Sequence, residues 1–148
     1  MRHQGIEYFF SQEPPASIYK EAKETFDIDF YTRGTVFAFA PYIHSRKGKA
    51  ESHLIHHELI HFKQQEAVGG PEKWWRIYFD DAQQRMEWEL EAYREQYKFI
   101  VENYRQSDHW PLLKQIGEHL VRMYNLGLTL QDAIKLVRDP SLSTPKVK

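Results

Sequence analysis

An α+β fold is predicted from this chain, with a small antiparallel sheet near the N-terminus packed on a mainly helical body. Three observations carry that expectation. Residues 6–44 contain short aromatic and β-branched runs, "IEYFF" and "TVFAFAPYI", punctuated by Pro and Gly. From Ser52 to Arg138 the apolar residues recur at helical rather than alternating spacing. The 148 residues, 41% hydrophobic and 15% aromatic, suffice for one ordinary core. We expect one domain over residues 1–139 and a frayed tail over 140–148.

The elements follow in order. "IEYFF" (6–10) reads as a strand. "PPASIYKEAKETF" (14–26) reads as a helix with proline near its first turn and Ile18, Ala22 and Phe26 four residues apart. Residues 27–44 read as a hairpin around Arg33-Gly34, with Phe37 and Phe39 alternating against Val36, Ala38 and Ala40. Residues 45–52 are a polar loop, and Ser52 suits an N-cap. His53 to Glu66 is a helix that "VGG" stops. Pro71 opens a short aromatic helix, and Asp80-Asp81 cap a long one over 82–105. Another helix spans 108–124, ended by Asn125 and Gly127. Thr129 and Asp132 resemble a capping box for "LQDAIKLVR".

Composition excludes several classes. A net charge of -1 gives no field that would draw nucleic acid or a membrane surface. With no cysteines there are neither disulfides nor thiolate ligands, so any metal must rest on imidazole and carboxylate. "TVFAFA" is the most apolar run and Pro41 ends it. Neither a signal segment nor a membrane span is expected, and the setting expected is the cytoplasm. Nothing specifies an oligomeric state.

Four of the eight histidines lie within "HLIHHELIH". It contains His57-Glu58-Leu59-Ile60-His61, an H-E-x-x-H pattern. Positions i and i+4 of a helix lie one above the other, so both imidazoles can bind one ion. Glu58 is then held beside the ion without ligating it, placed to take a proton from a water acidified by zinc. A shuffled chain of this composition shows the pattern roughly 4% of the time, so the helical context is needed to give it weight. Glu58-x-x-His61 also fits half of a di-iron carboxylate site. The second E-x-x-H that such a site requires is missing, because Gln106 and Ile116 stand three before His109 and His119.

A zinc site needs a third ligand, and the long helix offers Glu87, Glu89 and Glu91. At about 100° per residue from Met86, the residues Leu90, Tyr93, Tyr97, Ile100, Val101 and Tyr104 define a buried face. Glu87 and Glu91 fall toward solvent, whereas Glu89 falls on the margin of the buried face. A carboxylate there is costly unless paired, and a metal ion would pair it. The bland alternative is an ion pair with Arg85.

His57-Glu58-x-x-His61 followed by "ELEAY" (89–93) resembles a zincin metallopeptidase of the gluzincin type. It is closer still to the small H-E-x-x-H proteins of bacteriophages and prophages, over residues 35–105. The resemblance implies a minimal zincin-like fold holding Zn2+ on His57, His61 and Glu89, with an open fourth position. It also implies peptide-bond hydrolysis with Glu58 as general base, acting on a peptide or protein substrate. "TVFAFAPYI" would be the strand that pairs with extended substrate. Tyr93 stands where such enzymes carry the aspartate that orients the first histidine, so the partner of His57 is open. Tyr42, Tyr93, Arg94, His109 and His119 are alternatives for the donor to the tetrahedral intermediate. A virion-associated structural or binding module that keeps the zinc without turnover is the rival reading. A protease dedicated to one regulatory target would share the same chemistry.

Other features have plainer readings. His53 and His56 flank the motif, and Gln64 and Gln65 read as polar residues on an exposed helix face, with a hydrogen bond to a neighbouring loop or a substrate as the minority reading. Trp74, Trp75, Tyr78 and Phe79 read as packing, with a substrate-facing wall as the minority reading.

Overall fold

A computed structural model describes residues 1–27, 35–122 and 127–147. The chain starts with a two-stranded antiparallel hairpin, β1 (Arg2–His3) and β2 (Ile6–Glu7), whose turn residues Gln4 and Gly5 both have positive φ. The single strand expected over 6–10 is therefore divided. Its second half, β3 (Phe9–Ser11), belongs to a separate sheet of order β3-β5-β4, with β4 at Phe37–Phe39 and β5 at Tyr42–His44. β3 runs parallel to β5 and β4 antiparallel to it. The described hairpin turns at Ala40-Pro41, since proline has no N–H to continue a ladder. The turn expected at Arg33-Gly34 lies outside the described residues.

Six helices are described: α1 (Ala16–Phe26), α2 (Ser52–Val68), α3 (Pro71–Asp80), α4 (Ala82–Asn103), α5 (Gln106–Arg122) and α6 (Leu130–Arg138). The α+β class with a mainly helical body is as the sequence predicts. Asp81 accepts from the Gln84 N–H and Thr129 from that of Asp132, so both expected caps form. Ser52 does not cap α2. Glu51 holds the N-cap position without a side-chain cap bond to the backbone, and the Ser52 hydroxyl meets that of Tyr104 at 2.8 Å. Gly69 ends α2 in the left-handed region at φ 101°, where a Cβ would be strained.

Helix α2 runs through the middle of the molecule between the sheet, α3 and α4, and it is buried on nearly every side. Ile55, Leu59 and Phe62 pack on Ala38 and Ile43 of the strands and on Tyr8 between β2 and β3. The opposite, polar side faces α4 rather than water. Gln64 and Gln65, expected on an exposed face, are both buried, Gln64 against α4 and Gln65 against the β4 edge. β4 is covered on both faces: Ala38 joins that cluster, while Phe37 joins Ile18, Ala22, Phe26, Trp74, Trp75 and Tyr78. Met86, Leu90, Tyr93 and Ile100 of α4 pack on α5 and α6. Gly117 permits the close α5–α6 contact, because a Cβ there would lie 2.8 Å from Ile134.

One expectation about α4 needs correction. Val101, assigned to the buried face, is exposed, because α4 ends two residues later and that side of its last turn meets no other described element. Residues beyond α6 make specific contacts. Arg94 donates to the carbonyls of Leu136 and Leu142, and Gln83 exchanges hydrogen bonds with the Pro145 carbonyl and the Val147 N–H.

Candidate metal centre

Helical phase on α2 and α4 brings His57, His61 and Glu89 together, and these three form a buried group that can hold a metal ion. Glu89 Oε1 lies 2.7 Å from His61 Nε2 and 3.2 Å from His57 Nε2, and the two nitrogens are 3.1 Å apart. Ligand atoms about 2.0 Å from a tetrahedral ion stand about 3.3 Å from one another. Two sides of the triangle match that spacing closely, and the third is short. The donor set therefore fits a small divalent cation.

The hydrogen bonds behind the imidazoles settle what those atoms present. His57 Nδ1 donates to Gln96 Oε1 at 2.9 Å, and His61 Nδ1 donates to Gln64 Oε1 at 2.8 Å. Neither amide is free to turn around. Gln96 Nε2 is 2.8 Å from His53 Nδ1, and Gln64 Nε2 donates to Glu91 Oε1 and the Trp88 carbonyl. Both imidazoles thus carry their proton on Nδ1 and, when neutral, aim lone pairs from Nε2. Three acceptors, two nitrogens and Glu89 Oε1, then converge with no donor among them. Only a cation or an added proton can fill that gap.

In the metal-free chain a proton fills it. Burial pushes the His61 pKa down, but the charge of Glu89 and its hydrogen bond outweigh burial and lift it to about 9. Burial likewise pushes Glu89 up, yet the charge of His61 and the hydrogen bonds from both imidazoles hold it well below the carboxylate range. His57 is lowered by burial, partly offset by its bond to Glu89. An imidazolium at His61 paired with ionised Glu89 beside a neutral His57 is the resting arrangement. Glu89 Oε2 accepts from the Tyr78 hydroxyl at 2.8 Å, which leaves Oε1 for the site. Arg85, weighed as the partner of Glu89, donates to the Tyr78 carbonyl at 2.6 Å.

Glu58 is buried in the same place. Burial, eased by His61 and reinforced by Glu89, pushes its pKa up to about 8. Its Oε2 has no hydrogen-bond partner among the described residues. Glu58, the three candidate ligands, residues 35–38, Trp74, Trp75 and Tyr78 enclose a cavity of about 30 Å3. By the same measure one water needs about 10–15 Å3, so the space suits an ion with a water or two.

The structure brings His57, Glu58, His61 and Glu89 together at the cavity, while Tyr42, Arg94 and His109 lie elsewhere. Tyr42 is exposed against Phe9, Arg94 binds the end of α6, and His109 binds the Tyr104 carbonyl. Tyr93 lies with its ring 4.4 Å from that of His57, and it does not line the cavity. His119 is outside the lining as well. His53 reaches the site through Gln96, and His56 pairs with His3. The orienting glutamines were missed. Gln96 lies seven residues after Glu89, two turns along the same face, and that spacing is the signal that was available.

The outer edge of β4 departs from the expectation that it pairs with extended substrate. The Ala38 carbonyl accepts from Gln65 Nε2 at 2.8 Å and Trp75 Nε1 at 2.9 Å, and the Ala40 N–H donates to Gln65 Oε1 at 2.9 Å. These backbone groups are already taken. No protein-family model, curated protein or solved structure matches this chain. No helix among the described residues is long and apolar enough to cross a membrane.

Proposed function

We propose that this chain is a zinc-dependent hydrolase that cleaves peptide bonds with Glu58 as its general base. The observation that carries the reading is the unpartnered Glu58 Oε2 in the cavity where three metal-ligating acceptors converge. His57, His61 and Glu89 would hold the ion, and three protein ligands leave a position open, as catalytic rather than structural sites do. Zinc there would lower the pKa of a water to about 7 and polarise a carbonyl oxygen. Glu58 takes the proton from the attacking water and returns it to the departing amine nitrogen. Gln96 and Gln64 hold the two imidazoles in the tautomer the ion requires.

The size of the cavity favours one alternative. A peptide carbonyl does not enter about 30 Å3 unless the walls part, whereas an ion with water fits as it stands. A binding or structural module that keeps zinc without turnover is therefore the second reading. The two are separated by Glu58→Gln, assayed for zinc content and for cleavage of a peptide mixture followed by mass spectrometry. The hydrolase reading expects zinc to stay at one per chain while cleavage falls about 10²-fold or more. Cleavage that survives the substitution shows that Glu58 is not the base, and a zinc-loaded parent that cleaves nothing leaves the binding module.

A further inference from the structure

The lining of the cavity also includes a residue whose donor no described residue uses. Trp74 is 1% exposed, and its Nε1–H finds no acceptor among the described residues. Buried N–H groups of native proteins are nearly always paired, with water or a ligand where protein supplies no acceptor. The neighbouring Trp75 shows the ordinary outcome, donating to the Ala38 carbonyl. Trp74 cannot turn away to find a partner. Its ring is stacked between Tyr78 and Trp88 at 4.8 and 5.1 Å, and Trp75 stands across it at 5.0 Å. The His61 ring is 4.9 Å away, and Trp74 lines the cavity with Glu58 and the candidate ligands.

We propose that Trp74 donates its indole N–H to the oxygen that occupies this cavity, a water at rest and the carbonyl oxygen under attack in turnover. The inference rests on the metal-centre reading above and names the group it lacked. Two buried polar atoms without partners among the described residues are then satisfied: Glu58 Oε2 accepts a hydrogen bond from the water, and the same water's oxygen accepts from Trp74, while Glu89 Oε1 faces the cation in place of the His61 proton. Tyr78, the phenol in the lining, already spends its proton on Glu89. As the carbonyl oxygen gains charge, a fixed donor in a buried cavity strengthens its bond without reorganising.

The test replaces Trp74 with 3-benzothienylalanine, which keeps both rings and substitutes sulfur for N–H; Trp74→Phe is the second variant. Each is loaded with cobalt(II), and formate, a carboxylate about the size of two waters, is titrated while the visible absorption is followed. Both variants should hold one metal per chain, as the parent does, and bind formate about tenfold more weakly or worse, the loss of one hydrogen bond to a charged oxygen. In the 15N-labelled parent, the indole resonance missing from Trp74→Phe should move downfield when formate binds. Unchanged formate affinity in the benzothienyl variant, or an indole resonance that stays in place, overturns the role of Trp74 and leaves the metal centre standing. A parent that takes up no metal overturns the metal centre itself, and the inference falls with it.

Discussion

His57 donates its Nδ1–H to Gln96 Oε1, and the direction of that bond is set by Glu51, at the other end of a relay. The Glu51 carboxylate can only accept, so His53 donates to it from Nε2 and accepts at Nδ1. Gln96 must then give its N–H2 to His53 and turn its carbonyl to His57. Each link forces the next. The result is a lone pair on His57 Nε2, aimed at Glu89 and His61. An amide performs the orientation usually assigned to a carboxylate, so no extra negative charge is buried beside the site.

Gln96→Leu should therefore lower zinc affinity about 10- to 100-fold, because the imidazole loses its fixed tautomer. Competition against a chelator of known affinity measures it. Gln96→Glu, which can still accept from Nδ1, should recover most of the loss. Equal affinity in Gln96→Leu and the parent would show that packing alone orients His57.

Zinc uptake should release protons. His61, pushed up to about 9, is charged at neutral pH and must become neutral to ligate. Apparent affinity should climb between about pH 7 and 9, above the range near 6 to 7 that an ordinary histidine sets. Calorimetry in two buffers of different ionisation enthalpy should report at least one proton released per zinc at pH 7. Affinity that is flat across this interval would mean that His61 holds no proton in the metal-free chain.

Glu58 should make the metal-free fold sensitive to alkali. Its pKa is raised from 4.5 to about 8 in the folded chain, so folding disfavours the ionised form. The stability it contributes is complete below the unfolded value and drains away as pH rises through the folded one. His61 acts in the same sense, its contribution present below 6.5 and lost as pH rises through about 9. Glu58→Gln removes the first of these effects. In EDTA the variant should be more stable than the parent at pH 9, on the order of a few kcal/mol, with the gap closing toward pH 4. Parallel denaturation midpoints across that range would contradict the burial of an ionisable group at this position.

Much of this site was legible in the sequence, for a physical reason. His57, Glu58 and His61 are contiguous on one helix, so a local spacing rule places them. Glu89 needed only its phase on α4 against the apolar residues around it. What escaped depends on which helix covers which face. Gln64 looks like a solvated residue until α4 is laid on α2, Gln65 until the β4 edge reaches it, and Gln96 until α2 is laid on α4. Trp74 looks like ordinary packing until one of its polar atoms is left without a partner. The division of "IEYFF" between two sheets was equally hidden, because the parallel partner of Phe9 is Tyr42, more than thirty residues away.

Gln65 joins α2 to the strand that walls the cavity, and this sets the last expectation. Its side chain is fully buried and bonds two backbone groups of the β4 edge, the Ala38 carbonyl and the Ala40 N–H. In Gln65→Leu the carbonyl keeps Trp75 as a donor, so its loss is small. The Ala40 N–H has no such reserve in these bonds. One uncompensated buried donor costs about 1–3 kcal/mol, and leucine, of similar volume, offsets part of it by burial. The variant should therefore fold, melt several degrees lower, and exchange the Ala40 amide proton faster than the parent. Gln65→Glu keeps an acceptor for Ala40 but sets a carboxylate against the Ala38 carbonyl, and it should be the less stable of the two near neutral pH. Hydrogen exchange at Ala40 decides the point: a proton equally protected in Gln65→Leu and the parent would mean that β4 is held by the packing of its own Phe37 and Ala38 into the two clusters that cover it rather than by this side chain.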